Sequence, residues 1–262
     1  MKCYLCDTDV KKPFMTCGAD KYQELIGITR DKRRWYKCPE CGLIFQKNCL
    51  VKEELQQIYL KYRDVEIRKE SVGETFKKMN RLPYEESENM QRVDWLEYGL
   101  GGVSPRTFID IGSGLGVFPH ELKKCFSGSQ AFCIEPEPDS AKFIDTALKM
   151  VCHQGFYEKG LTTKADLVTL VHVLEHFVDP LQVLKDINEA DLKSEGNLFI
   201  EIPNPREFDY LPKDHDEFNS THLWFFPIPA LVKMLAKAGF EPFKVSTIHY
   251  KDRNLTRTRV LC

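Results

Sequence analysis

Two groups of residues in this sequence have the side chains and the spacing that chemistry needs. The first lies in the stretch HVLEHF, where His172, Glu175 and His176 follow the apolar run LVTLV. Imidazole and carboxylate groups this close together can take a proton from a hydroxyl or bind a divalent metal ion, or they can merely close a strand. A later polar stretch, DHDEFNSTHLWFF, adds His215 and His222.

The second group is a set of four cysteines near the start of the chain. Cys3 and Cys6 form one CxxC pair and Cys38 and Cys41 form another, with 31 residues between the pairs. Two such pairs are typical of one tetrahedral zinc ion, whereas a redox CxxC requires a thioredoxin-like βαβ context, which the sequence does not show at either pair. We expect a structural zinc ion, because a unit of about 50 residues has too small a core to fold unaided.

Composition narrows the class of protein. The chain of 262 residues has 37 basic and 39 acidic side chains and no long block of like charge, so we expect no nucleic-acid partner. The sequence shows no apolar secretion signal and no run of about 18 apolar residues, which predicts a cytoplasmic protein without a membrane span.

The length predicts more than one unit. We place a zinc-ribbon-like domain at 1–50, a helical linker or lid at 51–98 and the main domain at 99–262. Apolar residues at helical spacing, such as Leu55 and Ile58, indicate helices in the linker, with a break at the stretch RLPYEE.

The main domain begins with an apolar strand, a glycine-rich turn and a helical pattern, TFIDIGSGLGVFPHEL. Gly112, Gly114 and Gly116 follow Asp110 and would let a ligand approach the backbone closely. Their spacing is GxGxG, whereas the dinucleotide fingerprint GxGxxG requires a glycine where this chain has Val117. The sequence therefore excludes that fingerprint, and the acid before the glycines strengthens the prediction of a ligand site.

A second strand ends at Glu135, about 20 residues further on. A carboxylate at this place can accept two hydrogen bonds from a ribose diol. Glu137, two residues later, is interpreted as a helix cap. A third strand leads to Gln154, Gly155 and Phe156, which are well placed to contact an adenine ring.

The rest of the chain continues the alternation of strands and helices. The nearly all-apolar stretch ADLVTLV is typical of a parallel strand buried on both faces. A helix is predicted from Asp179 and Pro180 to Gly196, a fifth strand over 197–204, and two final strands that form an antiparallel edge. The pattern predicts an α/β fold, a doubly wound Rossmann-like sheet of seven strands, with a small N-terminal zinc-binding domain.

Four ordered motifs carry a family resemblance. They are DIGSGLG, the acid at Glu135, ADLVTLVHVLEHFVDP and the turn AGF after the last helix. Together they span about 105–255 and resemble class I S-adenosylmethionine-dependent methyltransferases. The resemblance implies that the cofactor is S-adenosylmethionine.

By this resemblance, the cofactor residues can be assigned. The loop from Gly112 to Gly116, including Ser113, would lie under the methionine part, with Asp110 and His172 nearby. Glu135, with Pro136 beside it, would hold the ribose hydroxyls, and Gln154 to Phe156 would border the adenine.

The cysteine pairs make the resemblance narrower. The chain resembles the zinc-ribbon-bearing methyltransferases of sugar and polysaccharide pathways, which methylate carbon or oxygen of sugars. The sugar C-methyltransferases of this group carry a further C-terminal domain, whereas this chain stops at residue 262, so we expect an O-methyl acceptor.

Three interpretations of the histidines stay open. A hydroxyl acceptor must lose a proton, and histidine, with an unperturbed pKa of about 6.5, suits this step. In the first interpretation, which the sugar-methylating relatives imply, His222 or His176 is the general base. In the second, these two histidines bind a divalent metal ion with His172 and Glu175, similar to the Glu-x-x-Glu-His motif and distant His of some metal-dependent RNA and quinone O-methyltransferases; His172 stands where the first Glu would be. In the third, the residues only cap and pack.

We expect O-methylation of a hydroxyl on a sugar, a sugar-derived small molecule or a polysaccharide-linked sugar. Asp214, His215, Asp216, Trp224 and Phe225 are expected to line the acceptor side, unless they form a polar loop anchored by aromatics. The alternatives are a sugar C-methyltransferase, an enzyme that its zinc ribbon delivers to RNA or a protein, and a protein that binds the cofactor without catalysis.

Overall fold

The structure is a computed structural model that describes residues 1–30, 32–47, 50–62, 70–250 and 253–262. These residues form two compact units. The first unit comprises Met1–Lys61, His172–Lys185 and Glu201–Val260, and the second comprises Tyr62–Val171, Asp186–Ile200 and Leu261–Cys262. The division into three consecutive segments at residues 50 and 98 stays a prediction.

Strands and helices alternate in the second half of the chain, as the sequence predicts. The strands are β1 (Met15–Cys17), β2 (Arg33–Lys37), β3 (Ile44–Lys47), β4 (Thr107–Ile111), β5 (Gln130–Glu135), β6 (Val151–Gln154), β7 (Ala165–Val171), β8 (Leu192–Asn204), β9 (Trp224–Phe225), β10 (Lys244–Tyr250) and β11 (Leu255–Leu261). The α-helices are α1 (Lys21–Leu25), α2 (Lys52–Leu60), α3 (Val72–Asn80), α4 (Glu88–Gly99), α5 (Val117–Cys125), α6 (Pro138–Thr146), α7 (Pro180–Asp186) and α8 (Ile228–Lys237). Short 3₁₀ helices cover Tyr84–Glu86, Leu174–His176, Pro205–Tyr210 and Asp216–Phe218.

Seven strands form one sheet in the order β10-β11-β8-β7-β4-β5-β6. Strand β4 pairs in parallel with β5 and β7, and β5 pairs in parallel with β6. Leu198 and Cys262 exchange both backbone hydrogen bonds, which is the pattern of an antiparallel pair at the end of the chain. The predicted doubly wound α/β sheet of seven strands, with an antiparallel edge, is confirmed.

Apolar strands and the apolar faces of helices build the core of the second unit. Phe108 on β4, Leu167 on β7 and Phe199 on β8 are fully buried there, with Leu122 of α5 packed against them. Several helices, among them α1, α3, α4 and α6, start at a side chain that accepts backbone N–H groups. Glu137 is the cap of α6, as predicted, because its carboxylate accepts from the amides of the first turn.

The first unit contains an antiparallel sheet in the order β1-β2-β3-β9. Its last strand, β9, comes from far along the chain, and it pairs Phe225 with Ile44 and Trp224 with Phe45. Trp35 and Phe225 stack in the core of this unit with ring centroids 5.0 Å apart. The sheet that begins beside the cysteine pairs is therefore completed by the strand that follows His222.

One predicted boundary is wrong. The helix that starts at Pro180 does not reach Gly196, because α7 ends at Asp186, a π-helical turn follows over Ile187–Asp191, and β8 starts at Leu192. A Cβ at Gly196 would lie 2.8 Å from Leu192 Cγ and 3.0 Å from a backbone oxygen, so the glycine permits a close approach inside a strand. A helix-ending glycine and a close-packed strand glycine look alike in sequence. Among the described residues, no helix is both long enough and apolar enough to cross a membrane.

Candidate functional site

The glycine loop after β4 has a backbone that requires glycine. Gly112, Gly114 and Gly116 have φ angles of 73°, 54° and 75°, which other residues rarely adopt. A Cβ at Gly114 would meet nothing within 4 Å, so a ligand can approach the backbone there. A Cβ at Gly116 would lie 2.7 Å from Ile144 Cγ1 and 2.8 Å from Leu148 Cδ1, so this glycine lets α5 begin close to α6.

Glu135, at the end of β5, reaches this loop. Its Oε2 accepts from the Gly114 amide at 2.6 Å and its Oε1 from the Glu137 amide at 2.9 Å. Each oxygen keeps a further lone pair, so the carboxylate can still accept hydrogen bonds from a ribose diol. Burial raises the pKa of Glu135 to about 7, so its charge changes near neutral pH.

Asp110 is buried beneath the loop. Its Oδ1 accepts from Thr169 Oγ1 at 2.6 Å, and its backbone oxygen accepts from Ser113 Oγ at 2.9 Å. Burial raises the pKa of Asp110 to about 6. With 2% of its surface exposed, Asp110 braces β4, β7 and the loop from within, and its contact with the cofactor stays a prediction.

The other predicted cofactor residues lie at the ends of β5 and β6. Pro136 directly follows Glu135, and Gln154 ends β6 with its side chain exposed. Gly155 N donates to Glu135 O at 3.1 Å, and Phe156 is half-buried. The second unit therefore brings the predicted ribose and adenine residues to the same edge of the sheet.

The four predicted zinc ligands meet in the first unit. Cys3 Sγ lies 3.6 Å from Cys41 Sγ, and Cys6 Sγ lies 3.5 Å from Cys38 Sγ. Tetrahedral coordination with Zn–S bonds of about 2.3 Å needs sulfur separations of about 3.8 Å, so the geometry fits a zinc ion. Gly42 N donates to Cys38 O at 3.0 Å and closes the second turn. These four cysteines could hold a metal ion.

His176 and His222 meet in the first unit with ring centroids 4.9 Å apart. His176 Nδ1 contacts Thr221 O at 2.9 Å, and His222 Nδ1 contacts Glu217 O at 2.7 Å. A backbone carbonyl can only accept, so in each neutral imidazole Nδ1 carries the proton and Nε2 carries a lone pair. Both histidines can therefore take up a proton or bind a metal ion through Nε2.

Glu175 is the carboxylate of this histidine cluster and is fully buried. A carboxylate oxygen of Glu175 and one ring nitrogen each from His176 and His222 lie within 4.8 Å of one another. Within the described part of the chain, neither oxygen of Glu175 has a hydrogen-bond partner. Burial opposes its ionisation, but the imidazoles of His172, His176 and His222 outweigh burial and lower the pKa of Glu175 to about 2. Burial lowers the pKa of His176 to about 4, so a neutral imidazole lies next to an ionised carboxylate.

His172 lies between two buried carboxylates. Its φ of 55° is uncommon for a residue with a side chain, and its amide donates to Glu201 O at 2.8 Å. Its Nε2 lies 3.0 Å from Glu201 Oε1, and its Nδ1 lies 3.6 Å from Glu175 Oε1. Burial acts to lower the pKa of His172, but the two carboxylates outweigh burial and raise it. His172 therefore lies close to both Glu201 and the Glu175 of the histidine cluster.

Sequence reasoning missed two residues of this cluster. Arg259 Nε donates to Glu201 Oε2 at 2.5 Å, and both side chains are buried. The sequence feature that could have indicated Glu201 is its place as the lone glutamate in the apolar strand NLFIEIPN. An ionised carboxylate inside a buried strand needs a partner. Nothing in the sequence shows that this partner is Arg259.

The other residues of the polar stretch divide between a cleft and the core of the first unit, and Phe225 packs against His222 with ring centroids 5.5 Å apart. Asp214, His215 and Asp216 line a cleft of about 680 Å³, which His176 and His222 do not line. Phe225 is fully buried in the core, and Trp224 is half-buried. Their predicted place at the acceptor stays a prediction.

Comparison with known proteins shows the family to which the chain belongs. The family described as a methyltransferase domain matches residues 76–245, which is more than half of the chain. The chain is 24% identical over 177 residues to the ubiquinone biosynthesis O-methyltransferase of Aeromonas salmonicida (strain A449), a match that covers 62% of this chain and 74% of that protein. It is 28% identical over 131 residues to the ubiquinone biosynthesis O-methyltransferase of Nitrosomonas europaea, with 47% and 54% covered.

A solved structure shares the fold. It is a 1,6-didemethyltoxoflavin-N1-methyltransferase of Burkholderia thailandensis with bound 1,6-didemethyltoxoflavin and S-adenosylhomocysteine. The TM-score is 0.51 at 13% identity, over 72% of this chain and 85% of that chain.

The family match agrees with the sheet order and the glycine loop, because all three indicate a methyltransferase domain. The chain belongs to the methyltransferase-domain family. It is an S-adenosylmethionine-dependent methyltransferase, so the predicted class of enzyme is confirmed.

Proposed function

We propose that the protein methylates a hydroxyl group of a small molecule and that a histidine of the first unit is the general base. The observation that carries this proposal is the short distance between the ionised Glu175 and the two histidines: a carboxylate oxygen of Glu175 and one ring nitrogen each from His176 and His222 lie within 4.8 Å of one another. A carboxylate stabilises the imidazolium that forms when such a base takes a proton. The two relatives named as O-methyltransferases support an oxygen acceptor.

We assign the base to His222. Because burial lowers the pKa of His176 to about 4, that imidazole is a poor proton acceptor near pH 7. As the acceptor oxygen forms its bond to the methyl carbon and the sulfur–carbon bond breaks, His222 Nε2 takes the hydroxyl proton. The products are the methyl ether and S-adenosylhomocysteine, and the carbonyl of Glu217 keeps Nδ1 of His222 protonated throughout.

In the second unit we propose the cofactor contacts that the sequence predicts. Glu135 holds the ribose hydroxyls, and Gly114 lets the methionine part approach the backbone, since a Cβ there would occupy open space. S-adenosylmethionine supplies the methyl group. The cysteine group, whose sulfur separations fit tetrahedral coordination, holds a structural zinc ion.

The acceptor we propose is a sugar or sugar-derived hydroxyl, on the strength of the resemblance to zinc-ribbon methyltransferases of sugar pathways. A quinone-related hydroxyl is the competing class, since the relatives are named for ubiquinone biosynthesis.

A panel of acceptors tests two choices: a sugar rather than a quinone-related hydroxyl, and oxygen rather than carbon as the methylated atom. Protein with deuterated-methyl S-adenosylmethionine is incubated with UDP-glucose, methyl glucoside or 3,4-dihydroxybenzoate, and products are located by mass spectrometry and NMR. We expect labelled methyl on a sugar oxygen. Label on the dihydroxybenzoate alone would overturn the sugar assignment, and label on carbon would overturn O-methylation.

A divalent metal ion held by the same residues is a second candidate. It is favoured by one observation, the buried Glu175 carboxylate without a hydrogen-bond partner among the described residues. Glu175, His176 and His222 would be its ligands, a set that suits Zn²⁺, Fe²⁺ or Mn²⁺, and the ion would supply Lewis acidity toward the acceptor oxygen.

Counting metal ions decides between the two candidates. Inductively coupled plasma mass spectrometry of wild type and Glu175→Gln should give the same metal content if His222 acts alone. A second metal ion per chain that Glu175→Gln loses would establish the metal candidate instead.

A further inference from the structure

The cysteine module, Met1–Lys47 without residue 31, contacts both chain segments that carry the histidine cluster. Tyr4 lies between Cys3 and Cys6, and its hydroxyl donates to Asp179 Oδ1 and accepts from Leu181 N at 3.2 Å. Its ring packs on Trp224 with centroids 4.8 Å apart. The first cysteine turn is thereby attached to the segment that follows His176.

The second cysteine turn leads directly into β3 and to Gln46. Gln46 N donates to Leu223 O at 3.0 Å. Its side-chain Nε2 donates to His222 O at 2.8 Å and to Asn219 O at 3.3 Å. Gln46 is buried, so its side-chain amide has little access to water and depends on these carbonyls as hydrogen-bond partners.

The two segments are also joined to each other. Leu223 N donates to Glu175 O at 2.9 Å, and Trp224 Nε1 donates to Phe177 O at 2.7 Å. His176 Nδ1 donates to the carbonyl of Thr221, so a shift of either segment would change the distance between the two imidazoles.

We propose that Tyr4 and Gln46 are positioning residues for methyl transfer, which hold the segments 175–181 and 219–223 so that His176 and His222 face Glu175. This inference rests on the proposed function of the histidines and adds that the cysteine module sets their geometry. It applies whether His222 acts as a base or as a metal ligand, because both roles need Nε2 at a fixed place.

The test variants remove the hydrogen-bonding groups of Tyr4 and Gln46 and keep the approximate volume of each side chain. Tyr4→Phe deletes one hydroxyl and leaves the ring on Trp224, and Gln46→Met deletes the amide and leaves the backbone pairing of β3. Matched controls come from the same module. Tyr36→Phe deletes the hydroxyl of a buried residue whose ring packs on Phe45, and Gln23→Met deletes a buried amide that accepts from Arg30 N.

The first measurement needs no acceptor. The imidazole ¹H–¹³C resonances of His176 and His222, assigned with His→Gln variants, should move in Tyr4→Phe and Gln46→Met and stay in both controls. Zinc content and affinity for S-adenosylhomocysteine should match wild type in all four variants. Unchanged resonances in both test variants would overturn the proposal.

The second measurement uses the acceptor that the panel identifies. We expect kcat to fall on the order of 10- to 100-fold with an unchanged KM for S-adenosylmethionine, because small misplacement of reacting groups is costly. In the His222→Ala background, Gln46→Met should have no further effect on the residual rate. Full additivity, or an equal loss in the controls, would mean that the contacts only stabilise the fold.

The two proposals can fail separately. Normal turnover of His222→Ala would refute the histidine base while leaving the resonance shifts to decide the positioning role. An inactive His222→Ala together with normal Tyr4→Phe and Gln46→Met proteins would refute only the positioning role.

Discussion

Glu135 illustrates how burial sets the chemistry of a single side chain. Its place could be predicted, because an acid at the end of the second strand of such a fold has a fixed distance in sequence from the glycine loop. Its raised pKa could not, because that depends on which atoms cover the carboxylate. Glu201 was missed for a related reason: its partner Arg259 is distant in sequence, and only folding brings the two together.

The pKa of Glu135 predicts a pH-dependent affinity for the cofactor. Burial raises this pKa to about 7, and the ionised form is the one that accepts both ribose hydroxyls. The Kd for S-adenosylhomocysteine, measured by calorimetry, should therefore rise as pH falls below 7, approaching about tenfold per pH unit. Glu135→Gln should bind weakly with little dependence on pH between 5 and 8. A constant wild-type Kd over that range would contradict the role of Glu135.

The ionisation of Glu135 affects the stability of the fold in the direction opposite to its effect on cofactor affinity. A raised pKa in the folded state means that the contribution of Glu135 to stability is present below its usual pKa and is lost as pH rises through about 7. The contribution of Glu175 to stability changes with pH in the other direction. With its pKa lowered to about 2, its contribution is present above its usual pKa and is lost as pH falls toward 2.

At the scale of elements, the parallel strands were predictable because their apolar runs end at turn signals. The end of α7 was not, since Gly196 serves a close contact inside β8 rather than a helix terminus. Strand β9 is two residues long and was not predicted. Only its pairing with β3 defines it, and pairing between distant segments leaves no local pattern.

Two glycines of the same loop should respond differently to alanine. Gly116→Ala places a Cβ 2.7 Å from Ile144 and imposes a left-handed φ on alanine, so we expect a loss of about 1–3 kcal/mol in the free energy of unfolding. Gly114→Ala meets no protein atom, so it should cost less stability and more affinity for the cofactor. Urea unfolding and calorimetry of both variants measure the two effects. Equal losses of stability would contradict the division of roles.

At the scale of the whole molecule, the cysteine pairs could be recognised in the sequence, but their contacts with the segments that carry His176 and His222 could not. The zinc-ribbon interpretation treats the first 50 residues as an appendage. In the first unit, β3 from this region pairs with β9 next to His222, so the sheet beside the cysteines is built from segments that are far apart in the sequence.

Zinc removal should therefore affect residues far along the chain. We expect one zinc ion per chain by atomic emission, and chelation should reduce hydrogen-exchange protection in β2, β3 and β9, because metal binding contributes folding free energy to a small module. Cys38→Ser should lose the metal, whereas Cys125→Ser on α5 should keep it. A metal-free protein with full protection in these strands would rule out the site.

The role of His222 as the base is tested most directly by measuring the rate of methyl transfer. We would measure methyl transfer in a single turnover at saturating S-adenosylmethionine for wild type, His222→Ala and, as a control, His249→Ala on β10. Loss of a general base predicts a rate about 10²- to 10⁴-fold lower in His222→Ala, with unchanged affinity for S-adenosylhomocysteine and a normal rate in the control. A near-normal rate in His222→Ala would contradict the assignment of the base.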